Sequence, residues 1–306
     1  MMKKCLLTAL AVLMTSTGLS AQIEAGPHRP GNVPAGYVVT PFGYFHPSCV
    51  QTIAEDDALL ANGQVQHSDG SVTGKVSCDY PRYAPNGTPK VTGVKQQVPE
   101  ISGWIESASV TAPANKSFSA LYATARVPSQ PRSQDGQVLF FFPGFEDISN
   151  VESILQPVIT WAGGQWTVSN WNCCLSGITV QSTPVNINPG DEIVSSITEN
   201  CRPGTLSCAT WNIFSLDTRT GKSTTLAKTP SDGQVFNWAF GGALEPYYVV
   251  SCDDYPRDGH EMYQVIVFDE RFLPIDPKWS LSVGTTATPQ CGYKIDAKPF
   301  DVTLDY

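Results

Sequence analysis

Leu139-Phe-Phe-Phe-Pro-Gly-Phe-Glu146-Asp147 sets four aromatic rings and a leucine directly before two carboxylates. An aromatic strand of this kind has to be largely buried. A carboxylate emerging beside it then lies in low dielectric, where its pKa and hydrogen bonds can be tuned. The run continues to Ile154-Leu155-Gln156, and Trp238-Ala-Phe-Gly-Gly-Ala-Leu244-Glu245-Pro-Tyr-Tyr248 repeats the form, a polar side chain after an apolar run. The expected site is a cleft across which Glu245 and Gln156 meet.

Outward from these stretches, residues 101–306 read uniformly. Runs of six to nine residues rich in Val, Ile, Thr and aromatics recur: Trp104–Val110, Ala120–Val127, Gln137–Phe142, Ser153–Trp161, Trp166–Trp171, Glu192–Thr198, Thr210–Leu216, Val235–Phe240 and Tyr263–Asp269 among them. Turn signals such as Asn188-Pro-Gly-Asp191 and Ser231-Asp-Gly-Gln234 separate them. Short strands with this punctuation predict an all-β fold, an antiparallel β-sandwich large enough for one core. No segment carries a helical period over three turns. Trp161, Trp166, Trp171 and Trp211 are expected in core or cleft wall, and Gly241-Gly242 at a tight bend or close approach.

The start of the chain differs. Met1–Ala21 reads as a secretory signal, with Lys3 and Lys4 ahead of an apolar core and Leu19-Ser20-Ala21 as the cleavage site. The expected location is secreted, extracellular or periplasmic, and no later run approaches the ~20 apolar residues of a membrane span. Loss of the signal takes the formal net charge from -9 to -11. That charge makes nucleic acid and anionic membrane poor partners, and a monomer is expected. Residues 22–100 form a Pro- and Gly-rich segment that reads as a possible propeptide. Within it, Val76-Ser-Cys-Asp-Tyr-Pro-Arg82 nearly repeats Val250-Ser-Cys-Asp-Asp-Tyr-Pro-Arg257, which suggests that the first copy occupies a site the second helps build.

Eight cysteines follow the signal: Cys49, Cys78, Cys173, Cys174, Cys201, Cys208, Cys252 and Cys291. An even number in an exported chain implies disulfides. Cys201–Cys208 closes a turn-rich loop, and Cys49–Cys78 would staple the N-terminal segment. Adjacent strand residues point to opposite faces, so Cys173 and Cys174 are expected to bond to two partners, with Cys252 and Cys291 available. No CxxC pair favours zinc, and no metal is expected.

The chain has no GxSxG elbow, HExxH helix, P-loop or GxGxxG after a strand. His260, in Pro256-Arg-Asp-Gly-His260-Glu261, is the lone histidine of the strand-rich part and reads as a solvated loop residue. Carboxylate chemistry is left. One carboxylate can serve as general base toward water and then as acid toward a leaving amine, while a carboxamide donates to the oxyanion. Such a pair requires no cofactor.

Phe142 through Asp147, Ser153-Ile-Leu-Gln156, Asn188-Pro-Gly-Asp191-Glu-Ile and Leu244-Glu245-Pro-Tyr-Tyr-Val resemble, in order and spacing, the glutamic peptidases of the eqolisin type. The resemblance implies a concanavalin-like jelly roll, acid endopeptidase activity on polypeptides, and catalytic roles for Gln156 and Glu245, which are 89 residues apart. It places Phe142 where the family has a cleft tryptophan and Glu146 at an acidic loop position; Asp147 and Trp238 complete the expected substrate-binding set. The family usually has Thr-Gly where this chain has Pro157-Val158, and a second acidic residue after the glutamate that this chain lacks. Neprosin-type peptidases, which use two glutamates, suggest a variant in which Glu146 assists Glu245. Two competing expectations are a carbohydrate-binding or carbohydrate-active sandwich, with Trp161, Trp166 and Trp238 stacking on sugar rings, and a non-catalytic structural module.

Overall fold

The computed structural model describes residues 22–26, 28–60, 62–74, 78–90, 103–149, 153–174 and 177–306. The signal sequence and the junction after the N-terminal segment lie outside these.

Among the described residues two large sheets form the sandwich. One has nine strands, with Trp238–Tyr247, Val138–Glu146, Ile154–Ala162 and Gln165–Cys173 side by side at its centre. Glu106–Thr111 and Ser280–Val283 extend one edge and Thr179–Ser182 the other. The other sheet has ten strands, with His260–Asp269, Phe118–Arg126, Glu192–Glu199, Thr210–Asp217 and Ser223–Pro230 at its centre. Leu139, Phe141, Phe145, Trp161, Trp166 and Trp211 fill the space between the sheets. Asn170 and Asn172 cross this core, donating to the carbonyls of Thr224 (2.8 Å) and Pro230 (2.8 Å) on the opposite sheet.

Period-two alternation explains why the Val138–Glu146 strand is apolar throughout. Its odd residues Leu139, Phe141 and Phe145 face the inter-sheet core, while Phe140 and Phe142 face outward. That outer face would meet water in a two-layer sandwich. Here the N-terminal segment covers it. A four-stranded sheet, Val38–Thr40, Gly43–Phe45, Arg82–Tyr83 and Pro89–Lys90, carries Tyr37, Tyr44, Phe45 and Tyr83 into a second core with Phe140, Phe142, Trp171 and Phe240. The segment also joins both large sheets: Val50–Ile53 runs parallel to Thr179–Ser182, and Ala58 pairs with Ala227.

Three expectations change. The run Val235–Phe240 does not end a strand at Phe240; Trp238–Tyr247 is continuous, and Gly241-Gly242 mark a shift in strand pairing. A Cβ at Gly241 would lie 2.8 Å from the Trp279 ring, so close approach is the reason for glycine there. Cys173 and Cys174 bond to each other and Cys252 to Cys291, beside the expected Cys49–Cys78 and Cys201–Cys208 pairs. Cys173 ends its strand, so the alternation that would separate the two side chains stops between them. His260 is not a solvated loop residue. It opens the His260–Asp269 strand, fully buried 4.5 Å from the Phe141 ring, because the turn ends at Gly259 and the next residue points inward. The two Val-Ser-Cys-Asp repeats also part company: Tyr80 is half exposed and stacked on His46, whereas Tyr255 is buried against Tyr306 between the sheets.

Candidate functional site

The outer face of the nine-stranded sheet, beneath the N-terminal segment, gathers the sequence-predicted residues. Strand pairing places them in rows. Glu245 is opposite Phe140. Phe142 is opposite Ala243. Gly144 is opposite Phe240, and the register, the same at Phe141–Ile159 and at Phe145–Leu155, sets Gln156 beside Gly144. Glu146 is flanked by Trp238 on one side and Ile154 on the other. Residues directly opposite share a face, so Gln156, Glu245, Glu146, Phe142 and Trp238 all point the same way.

They are not equally close. Gln156 and Glu245 stand two strands apart and four residues apart along the central strand, about 10 Å across and about 13 Å along. Glu146 is the diagonal neighbour of Gln156 on the adjacent strand, about 7–8 Å between backbones and less between side chains. Gln156 and Glu245 share a face but do not meet across it, and the carboxylate nearer the carboxamide is Glu146. Asp147 turns away: its two oxygens accept the backbone N–H groups of Ser149 (2.9 Å) and Val235 (3.0 Å), which ties two loops together.

Glu245 accepts from the Tyr247 hydroxyl at 2.5 Å and from the Trp104 indole N–H at 3.2 Å. Tyr44 of the N-terminal segment packs edge-on against Tyr247 at 5.5 Å. Burial and the neighbouring Glu245 push the Tyr247 hydroxyl well above its ordinary pKa, so it remains a donor. Trp104 spans the face, stacked on Trp238 and edge-on to Phe142 and Phe240. Neither Trp104 nor Tyr247 was singled out from sequence. Tyr247 carries a usable signal, since it lies two residues from Glu245 on one strand and must share its face; Trp104 follows residues 91–102 and has none.

Gln156 is completely buried, and neither its carbonyl oxygen nor its amide nitrogen has a protein partner among the described residues. Leaving such groups unmade costs about 1–3 kcal/mol. At the end of the same face Cys173 pairs opposite Ile154, and Arg82 of the N-terminal segment points its guanidinium at Cys174 Sγ, 2.8 Å away. Trp161 and Trp166 are buried between the sheets, which removes them as sugar-stacking surfaces; Trp238 remains on the outer face.

The fold is shared with the glutamic peptidases. One similar solved structure is scytalido-glutamic peptidase with a peptide-based transition-state analogue, 16% identical with a TM-score of 0.50, matching 67% of this chain and 98% of that one. A second structure of that peptidase with a transition-state analogue inhibitor is 17% identical over the same shares, TM-score 0.49. SCP-B, a member of the eqolisin family in complex with the tripeptide Ala-Ile-His, is 15% identical, also over 67% and 98%, TM-score 0.46. No family profile matches the chain, and no curated protein matches it by sequence.

Proposed function

We propose that the chain is a secreted acid endopeptidase that hydrolyses peptide bonds with a glutamate–glutamine pair on this outer face. The observation that carries the reading is the buried Gln156 carboxamide, left without a protein partner diagonal to Glu146. In this reading Gln156 donates an amide N–H to the oxyanion formed when water attacks the scissile carbonyl. Glu146 takes the proton from that water and returns it to the leaving amine. Trp238 and Phe142 hold the substrate beside the pair. Glu245, fixed by Tyr247 and Trp104, is the second carboxylate of the cleft and anchors the substrate further along. The fold shared with a peptidase that was crystallised with a transition-state analogue supports the same reading.

The N-terminal segment acts as a propeptide in this scheme. Gln156 and Glu245 are both buried, and Tyr44 of the segment packs on Tyr247, the partner of Glu245, so a polypeptide reaches them after the segment leaves.

The test is cleavage of a denatured protein from pH 2 to 8 with pepstatin present, before and after the N-terminal segment is shed. Gln156→Ala is expected to lower the rate about 10²–10³-fold, Glu146→Gln to abolish it, and Glu245→Gln to act more through KM than kcat. Full activity in Glu146→Gln with none in Glu245→Gln would return the base to Glu245. No cleavage by the shed form at any pH would sink the peptidase reading.

A further inference from the structure

A cavity of about 950 Å³ lies on the same outer face, displaced from Gln156 toward the Gln165–Cys173 and Thr179–Ser182 strands. Its floor is the face of paired strands, with Thr160 directly opposite Thr167 and Trp171 opposite Gln181. Its roof is the N-terminal segment, through Ile23, Val38, Val39 and Thr52. A volume of this size holds a small molecule.

The chemistry of the wall is selective. Glu24 is the only ionisable side chain among the described residues lining the cavity. The other polar groups are hydroxyls and carboxamides. Thr160, Thr167 and Asn186 face the cavity without a protein hydrogen-bond partner among the described residues. Trp171 donates its indole N–H to Ser169 Oγ at 2.9 Å, so its ring offers the cavity carbon surface and no free donor. A wall without cations gives an anion nothing to pair with. The floor is the face of a sheet whose N–H and C=O groups are already paired, so a peptide cannot join it as an added strand. The amides of Gln22, Gln165 and Gln181 donate to protein oxygens, so the groups left for a ligand are the Thr160 and Thr167 hydroxyls, the Asn186 carboxamide and an aromatic wall, which suit a ligand that carries hydroxyls and is apolar on its ring faces.

We propose that this cavity binds a short neutral oligosaccharide, held between the N-terminal segment and the sheet. The site is separate from the glutamate–glutamine pair and requires no peptidase activity. Because residues on both the segment and the sheet form it, occupancy favours the segmented form of the chain.

The experiment is calorimetric titration of the purified chain, N-terminal segment in place, with cellobiose, maltose, mannobiose and xylobiose at millimolar concentration. Cellobiouronic acid serves as the charged control and Ala-Ser-Thr as the neutral peptide control. One of the neutral disaccharides is expected to bind with one-to-one stoichiometry, and the uronic acid to bind at least ten-fold more weakly. Thr167→Trp fills the cavity and abolishes binding. Thr167→Val, which keeps the shape and removes one hydroxyl, weakens it about five-fold, the equivalent of one hydrogen bond. The Val variant decides the matter if the Trp variant shows no cooperative unfolding. Absence of binding by all four disaccharides, binding unchanged in Thr167→Val, or binding of the peptide in their place would overturn the proposal.

Discussion

Replacing His260 with Met should remove an acid-sensitive weakness from the sandwich. His260 is fully buried, both ring nitrogens lack a protein partner among the described residues, and the Phe141 ring lies 4.5 Å away. Burial drives its pKa down to about 3, against the smaller upward pull of Asp258. A lowered folded-state pKa means that the unfolded chain takes up a proton first as pH falls through about 6.5, while the folded chain stays neutral to about 3. Between pH 7 and pH 4 the unfolded state therefore gains about 3 kcal/mol from this one residue. Urea unfolding of both proteins at the two pH values isolates that amount as a double difference, in which the change in packing cancels. The loss of stability from pH 7 to pH 4 should be about 3 kcal/mol smaller in His260→Met. Equal pH dependence in the two proteins would refute the assignment of a neutral, desolvated imidazole.

Three other substitutions probe the core and the N-terminal staple. Glu106, buried between the sheets, has a pKa raised to about 8 by desolvation, so the stability held below about pH 4.5 is lost as pH rises toward 8; Glu106→Gln should flatten that fall, worth about 3 kcal/mol at pH 7 in urea titrations. Gly144→Ala drives a Cβ into the Phe240 ring and to 2.7 Å from the Leu155 carbonyl oxygen, and should lower stability by about 1–3 kcal/mol, read as a shift in thermal midpoint. Replacing Cys49 and Cys78 with Ser opens a loop spanning a separation of 29 residues. It should cost about 3–4 kcal/mol and hasten limited proteolysis of the segment relative to the sandwich.

Strand content was legible because most runs alternate under the demands of one buried face, and Ile154–Ala162 and Gln165–Cys173 fall within a residue or two of their predicted spans. Of the two readings of Gly241-Gly242, close approach holds and a tight bend does not, because glycine there admits the Trp279 ring while the strand runs on. Ser280–Val283 is mostly exposed, and Lys294–Lys298 is interrupted by charge; both are edge strands whose pairing comes from neighbours, so neither shows a buried pattern. At the site, Gln156, Glu146 and Glu245 were all visible as polar groups attached to apolar runs. Their spacing was not, because it depends on which residues stand opposite across three strands, and the shift near Gly242 changes that pairing. The self-bonded Cys173 and Cys174 were hidden for a related reason: the rule of alternation holds inside a strand and says nothing at its last residue.

The apolar outer face makes the N-terminal segment part of the folded chain's core. Phe140, Phe142, Phe240 and Tyr247 on one side and Tyr37, Tyr44, Phe45 and Tyr83 on the other form a single core, so the sandwich and its cover are stabilised by the same buried surface. A protein that sheds the segment after folding retains an arrangement whose instructions have partly been discarded. Its persistence would then rest on the height of the barrier to unfolding rather than on equilibrium, and a single heating would erase a structure that the remaining chain has lost the means to rebuild.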